Sequence, residues 1–115
     1  MHLKSSQDNG ILIITVEAER IDASSAIHLK DQFREAVNDH DARVVMDLEK
    51  VGFMDSSGLG AMVASLKMLG GRALELTNLS PAVEKVFKLT RMDRVFTLHE
   101  TLETALDAQN DVSAA

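Results

Sequence analysis

Several residue types are missing from this sequence, and each absence excludes particular classes of protein or kinds of site. The 115 residues include no cysteine, no tryptophan and no tyrosine. Without cysteine the chain has no disulfides, no thiolate nucleophile and no cysteine-ligated metal. The four histidines are scattered, with no pair at a helical or strand spacing that suggests metal ligation. We therefore expect no metal and no cofactor, and we expect these histidines at the surface: His2, His28, His40 and His99.

A basic surface and long apolar runs are also missing. The formal net charge is -6, and four acidic residues but no lysine or arginine follow His99. Nucleic-acid-binding proteins present basic faces, often with aromatic side chains that stack on bases. The longest apolar run is far shorter than the roughly 20 residues that span a bilayer. The first ten residues lack the apolar core of a signal peptide. We expect a cytoplasmic protein that binds no nucleic acid and does not insert into a membrane.

A regular alternation of strand and helix patterns is present. Asn9 and Gly10 suit the tight turn of an antiparallel hairpin. Helical spacing of apolar residues occurs in segments 21–40, 59–69, 79–90 and 101–108, and strand patterns occur in segments 3–20, 42–48, 72–78 and 94–98. Ser24 or Ser25 is placed to cap the first helix, and Ser80 the third.

The length and the order of these patterns indicate a single domain with an α/β fold. A chain of 115 residues is large enough for one core and too small for two. Alternating strands and helices favour parallel pairing through crossover helices. We predict a mixed, mostly parallel sheet of about five strands, with an N-terminal antiparallel hairpin and four helices. Residues 1–108 form the predicted domain, and residues 109–115, small and polar, are a predicted flexible tail.

The segment DSSGLG, residues 55–60, lies where a polar loop enters the second helix. A hydrolase nucleophile elbow needs glycine two residues before and two residues after the serine. Met54 and Asp55 occupy the first of these positions for the two serines, so neither one fits. A P-loop needs lysine and a hydroxyl residue after its second glycine, but Ala61 follows Gly60. These spacings argue against a serine hydrolase and against a bound nucleotide.

The two serines of this segment are expected to have different roles. A helix start needs one capping hydroxyl, and Ser57 is placed to accept a hydrogen bond from the amide of Gly60. Ser56 then lies one residue outside the helix with its hydroxyl free. A phosphate there would meet the positive end of the helix dipole, so the fold should tolerate it. Its added negative charge beside Asp55 would change any surface that docks a partner.

Four segments of the chain together resemble a known family: NGILIITVEAERIDASSA, VVMDLEKVGFMDSSGLGAM, GGRALELTNLSPAVEKVF and TRMDRVFTLHETLETAL. The family is that of the STAS domains, and the likeness is to the anti-sigma factor antagonists of bacteria. The resemblance implies the STAS fold and phosphorylation of the first serine of DSSG, which is Ser56. It also implies that Asp22 lies beside the phosphorylation loop, where Asp55, Ser56, Ser57 and Gly58 join it in binding the partner. Capping of the helix entry is the alternative role for Asp22.

The resemblance further implies a regulator and not an enzyme, so no catalytic residue is expected. An unphosphorylated antagonist binds an anti-sigma factor that is also a serine kinase, and so frees the sigma factor. The kinase then phosphorylates Ser56 and releases the antagonist, and a serine phosphatase resets it. ATP and magnesium belong to the kinase. The alternative is a STAS binding subunit of a lipid transport complex or of a stress-signalling scaffold.

Two positions depart from the family pattern, which often has glycine where this chain has Ala18 and Arg91. If Arg91 must adopt a left-handed backbone conformation after the third helix, it costs about 1 kcal/mol relative to glycine.

Overall fold

Strands and helices alternate along the chain, with two short strands that the sequence pattern does not predict. The computed structural model describes the backbone of residues 1–114 and the side chains of residues 1–108. The strands are β1 (His2–Asp8), β2 (Ile11–Glu17), β3 (Arg20–Ile21), β4 (Val44–Asp47), β5 (Phe53–Met54), β6 (Leu74–Thr77) and β7 (Thr97–His99). The helices are α1 (Ala26–Val37), α2 (Ser56–Lys67), α3 (Pro81–Leu89) and α4 (Leu102–Ala114), and a short 3-10 helix spans Met92–Arg94.

Five of the strands form one mixed sheet in the order β1-β2-β4-β6-β7. β1 and β2 are antiparallel, and the other neighbours are parallel. The hairpin turn uses positive φ angles at both central residues, 52° at Asn9 and 80° at Gly10, as a tight hairpin of this hand requires. The predicted α/β fold, with its five-stranded mixed sheet and four helices, is confirmed.

One face of the sheet carries the main core. From β2 onward, each parallel strand lies on the same side of the strand before it, in the order β2, β4, β6 and β7. Right-handed crossovers between these strands therefore place α1, α2 and α3 on the same face of the sheet. Alternate residues of the strands point to that face because side chains alternate along a strand. The largest fully buried side chains of this core include Ile14, Leu29, Phe33, Met46, Met62, Leu76 and Phe87.

The opposite face is covered by α4 and contains a buried polar network. Ala105 of α4 packs on Ile11, Ile13 and Val45. Beside this small cluster, Glu75 Oε1 and Oε2 accept hydrogen bonds of 2.6 and 2.7 Å from Arg43 Nη2 and Nε.

His99 and Arg43 connect this network to β7 and to α4. The Nε2 atom of His99 lies 2.8 Å from Glu75 Oε1. Arg43 Nη2 also donates to the carbonyl of Ala105 at 2.8 Å. The side chain of His99 is only 14% exposed and lies against Glu75, so the expectation of a surface position is wrong for this histidine.

Helix ends follow the predicted residues in α3 but not in α1. The Ser80 hydroxyl accepts from Val83 N at 3.3 Å, and Pro81 occupies the first turn of α3. Ser25 precedes α1 but makes no side-chain cap bond. Arg91, after α3, has φ 61° and ψ 20°, so this residue does adopt a left-handed backbone conformation. The predicted flexible tail falls on 109–115, whose side chains lie outside the described residues; the α4 backbone extends to Ala114.

Candidate functional site

The two short strands β3 and β5 form a separate parallel pair that positions the candidate site. Arg20 pairs with Phe53, and Ile21 pairs with Met54. The carbonyl of Ile21 also accepts from Asp55 N at 3.3 Å, so the pairing continues to the start of α2. Strands of two residues have no measurable periodicity, and the sequence pattern therefore missed them. Their pairing brings the residues after each strand, including Asp22 and Asp55, to one edge.

Asp55, and not Ser57, caps α2. The backbone of Asp55 is extended, with φ -100° and ψ -175°, and its Oδ1 accepts from Gly58 N at 2.9 Å. A carboxylate at this position also interacts favourably with the positive end of the helix dipole. The predicted cap bond from Ser57 to Gly60 is therefore wrong: the helix starts two residues earlier than predicted, at Ser56.

Ser56 and Ser57 are both exposed residues in the first turn of α2. Among the side chains of residues 1–108, neither hydroxyl has a hydrogen-bond partner. Capping consequently does not distinguish the two serines, and the choice of Ser56 depends on the family resemblance. The sequence pattern places Ser56 one residue before the helix. In the structure Ser56 is the first residue of α2.

Gly58 allows α2 to approach β3 closely. A Cβ atom added to Gly58 would overlap the carbonyl oxygen of Ile21 and lie 2.8 Å from its carbonyl carbon. Gly58 is buried, so the structure gives it a supporting place behind the exposed serines. By contrast, a Cβ at Gly60 would meet nothing within 4 Å.

Asp22 organises the entry into α1. Its Oδ1 accepts hydrogen bonds from the hydroxyl of Ser24 at 2.7 Å and from the amide of Ser24 at 3.1 Å. Its main-chain carbonyl accepts from Ala26 N at 2.9 Å. Hydrogen bonds from Ser24 and then from Arg20 lower the pKa of Asp22 below its ordinary value. Asp22 therefore acts at the helix entry and also lies beside the start of α2, so its two predicted roles are compatible.

Arg20 and Phe53 extend this area, and the sequence pattern pointed to neither of them. The Cζ atom of Arg20 lies 4.1 Å from the centre of the Phe53 ring, which is 40% exposed. Arg20 Nε also lies 3.3 Å from Asp22 Oδ2. Aromatic residues and arginine are enriched in protein-protein interfaces relative to the rest of the surface. We call the area formed by these residues the switch surface: Arg20, Asp22, Phe53, Asp55, Ser56 and Ser57.

The chemistry available on the switch surface is that of binding and modification. Two carboxylates, one guanidinium and two exposed hydroxyls lie at the ends of β3 and β5. Among the described residues no group of three or more His, Asp or Glu side chains is arranged to hold a metal ion. In the same part of the chain, no helix is both long enough and apolar enough to cross a membrane.

Comparison with known proteins identifies the family. The model of the STAS domain matches residues 2–105. The chain belongs to the STAS domain family.

Proteins that are similar to this chain include regulators and a transporter. The anti-sigma-F factor antagonist RsfB of Mycobacterium tuberculosis is 28% identical over 99 residues, which cover 85% of this chain and 80% of that protein. Sulfate transporter 3.1 of Arabidopsis thaliana is 32% identical over 93 residues, but these cover 71% of this chain and only 14% of the transporter. The crystal structure of an anti-sigma factor antagonist from Mycobacterium paratuberculosis is 29% identical, with a TM-score of 0.82, and the alignment covers 93% of this chain and 92% of that one.

Proposed function

We propose that this protein is an anti-sigma factor antagonist, switched by phosphorylation of Ser56. The observation that carries the proposal is an exposed hydroxyl in the first turn of α2, beside Asp22 and Asp55 at the ends of two paired strands. The similarity to RsfB along most of both chains supports it. In this proposal residues 1–108 act as one domain in the cytoplasm. The partner is an anti-sigma factor that is also a serine kinase.

The protein is a substrate in this cycle and not a catalyst. Phosphoryl transfer forms a bond between Ser56 Oγ and the γ-phosphorus of ATP, while the bond from that phosphorus to ADP breaks. The hydroxyl proton passes to a base of the kinase, which also holds the ATP and magnesium. A serine phosphatase then hydrolyses the phosphate ester and restores the hydroxyl. Because the switch surface is exposed, both enzymes have access to Ser56.

Phosphorylation is expected to alter binding without unfolding the domain. A phosphate at the start of α2 lies near unpaired backbone amides, and a helix N-terminus favours an anion by about 0.3 to 1 kcal/mol at an exposed site. The same group adds roughly 1.5 to 2 negative charges next to Asp22 and Asp55. Unfavourable charge contacts at an interface cost several kcal/mol. The fold is therefore retained while affinity for the kinase falls.

The first experiment compares the two adjacent serines. The protein is incubated with the anti-sigma factor kinase of its own organism, ATP and magnesium, and the modified residue is mapped by peptide mass spectrometry. We expect phosphate on Ser56 in the parent protein, loss of labelling in Ser56→Ala and retained labelling in Ser57→Ala. The Ser57 variant is a matched control, because Ser57 is one residue away and is also exposed.

Labelling of Ser57, or undiminished labelling of Ser56→Ala, would contradict the site assignment. A second measurement tests the consequence for binding. Ser56→Asp should retain the circular dichroism spectrum of the parent and lose affinity for the kinase. A collapsed spectrum would show that charge at this position unfolds the protein instead of blocking the partner.

A second candidate function is suggested by the similarity to sulfate transporter 3.1. In this alternative the chain is a binding module with a permanent partner, such as a lipid transport complex or a stress-signalling scaffold. Phosphorylation would then be incidental. The two candidates differ in the partner recovered from native cells: a kinase-like anti-sigma factor that is lost with Ser56→Asp supports the first, and transporter components retained by both forms support the second.

A further inference from the structure

Arg20 is held on the switch surface only by weak, solvent-exposed contacts. Its side chain is 60% exposed. The guanidinium lies over the ring of Phe53, and its Nε atom is at the long distance of 3.3 Å from Asp22 Oδ2. Exposed cation-aromatic contacts and exposed ion pairs contribute little to stability. The guanidinium is therefore free to exchange them for a stronger partner.

The pairing of β3 with β5 brings this guanidinium close to Ser56. Since Ile21 is level with Met54, Asp22 is level with Asp55, the residue before Ser56. The Arg20 Nε atom already reaches forward to Asp22. The backbone of Asp22 is about one strand spacing, roughly 4.8 Å, from the backbone of Asp55. Because the Arg20 side chain is long and 60% exposed, we expect a change of its rotamer to bring the guanidinium to a group attached to the Ser56 hydroxyl.

The charges around Ser56 favour Arg20 as the partner of a phosphate. Asp22 and Asp55 are acidic, and Arg20 is the one cation on β3, β5 and the first turn of α2. Lys50, three residues before β5, is already paired with Glu17 at 3.1 Å. A guanidinium binds a phosphate through two parallel N-H donors, which gives a stronger and better oriented contact than its exposed pair with a carboxylate.

We propose that Arg20 leaves Asp22 and Phe53 when Ser56 is phosphorylated and binds the phosphate through its guanidinium. The proposal rests on the proposed phosphorylation of Ser56 and describes how that site is regulated. Its consequence is that the ring of Phe53 becomes uncovered and Asp22 loses an ion-pair partner. One phosphate on α2 thus rearranges the part of the switch surface that β3 and β5 provide.

The test places phosphoserine at position 56 by co-translational incorporation and follows its second ionisation by phosphorus NMR. Four phosphorylated proteins are compared: the parent, Arg20→Gln, Arg20→Lys and a control with Arg34→Gln. Arg34 is also exposed and paired with an aspartate, at 3.2 Å from Asp31. It lies eight residues further into α1 than Ala26, about 12 Å along the helix.

We expect the midpoint pH of the second phosphate ionisation to be about half a pH unit lower in the parent than in Arg20→Gln, because the guanidinium stabilises the dianion. Arg34→Gln should match the parent, and Arg20→Lys should retain part of the shift. Equal midpoints in the parent and Arg20→Gln would overturn the proposal, and so would an equal change in Arg34→Gln.

This test and the test of the proposed function fail separately. The phosphate is introduced during translation, so a kinase that ignores Ser56 contradicts the proposed function without affecting the NMR comparison. Conversely, a kinase that labels Ser56, combined with equal phosphate midpoints, leaves the proposed function in place and removes Arg20 from it.

Discussion

At the residue scale, Gly58 and Gly60 of α2 are expected to respond to alanine in opposite ways. Gly58→Ala forces a Cβ atom against the Ile21 carbonyl, and overpacking of this kind costs about 1 to 3 kcal/mol. Gly60→Ala adds a Cβ that meets nothing within 4 Å, and alanine stabilises a helix interior by roughly 0.5 to 1 kcal/mol over glycine. Urea unfolding monitored by circular dichroism measures both, and a loss of stability in Gly60→Ala would contradict this description of α2.

A second prediction at the residue scale concerns Arg91. Its left-handed backbone conformation costs conformational free energy, and no side-chain cap bond offsets this cost. Its φ of 61° is easily adopted by glycine and disfavoured for other residues. Arg91→Gly should therefore raise the free energy of unfolding by about 1 kcal/mol. Arg94→Gly is the matched control, because it removes the same charge within the adjoining 3-10 helix. A stabilisation of similar size in both variants would show that charge, and not backbone conformation, is responsible.

At the scale of secondary-structure elements, the start of α2 depends on Asp55. Asp55→Ala removes the acceptor of the Gly58 amide, and loss of a helix cap costs about 1 kcal/mol. Ser57→Ala should change the free energy of unfolding by much less, because its hydroxyl caps nothing in the described structure. Both are measured by urea unfolding of the unphosphorylated protein. If Ser57→Ala proved the more costly change, Ser57 would be the cap after all.

The elements also show where sequence patterns suffice and where they fail. Long periodic segments predicted α1, α2, α3 and the central strands, because burial of one face of a helix or strand produces a repeating pattern of apolar residues. The pair β3 and β5 leaves none, since each strand has two residues. At the start of α2, aspartate and serine are both good caps, so only the backbone angles at Asp55 decide between them.

The candidate site was predicted in part, for the same reasons. The resemblance implies that Asp22 lies beside the segment of Ser56, and the register of β3 with β5 puts Asp22 level with Asp55, the residue before Ser56. The sequence pattern did not indicate Arg20 or Phe53, because Arg20 lies on β3 and Phe53 on β5, the two strands that it does not predict. Their contact runs between two segments that are distant in sequence, and no local pattern reports such a contact.

At the scale of the whole molecule, burial of Glu75 under α4 is a feature that a strand pattern does not reveal. The alternation in RALELTN assigns Glu75 to the face opposite the leucines, and α4 covers that face. Burial alone would raise the pKa of Glu75, but hydrogen bonds from Arg43 and His99 outweigh it and hold the pKa below its ordinary value of 4.5. The network connects Arg43, the residue before β4, with β6, β7 and α4.

The lowered pKa of Glu75 predicts how the stability of the whole domain depends on pH. A carboxylate with a lower pKa in the folded state stabilises the fold above its unfolded pKa, and this contribution is lost as the pH falls through the folded value. We therefore expect the free energy of unfolding to fall as the pH drops below 4.5. Glu75→Gln should be less stable at neutral pH, because Arg43 loses its charged partner, and should lose less stability in acid. Urea unfolding curves at several pH values test this, and parallel pH profiles for the two proteins would show that Glu75 does not contribute to the acid sensitivity.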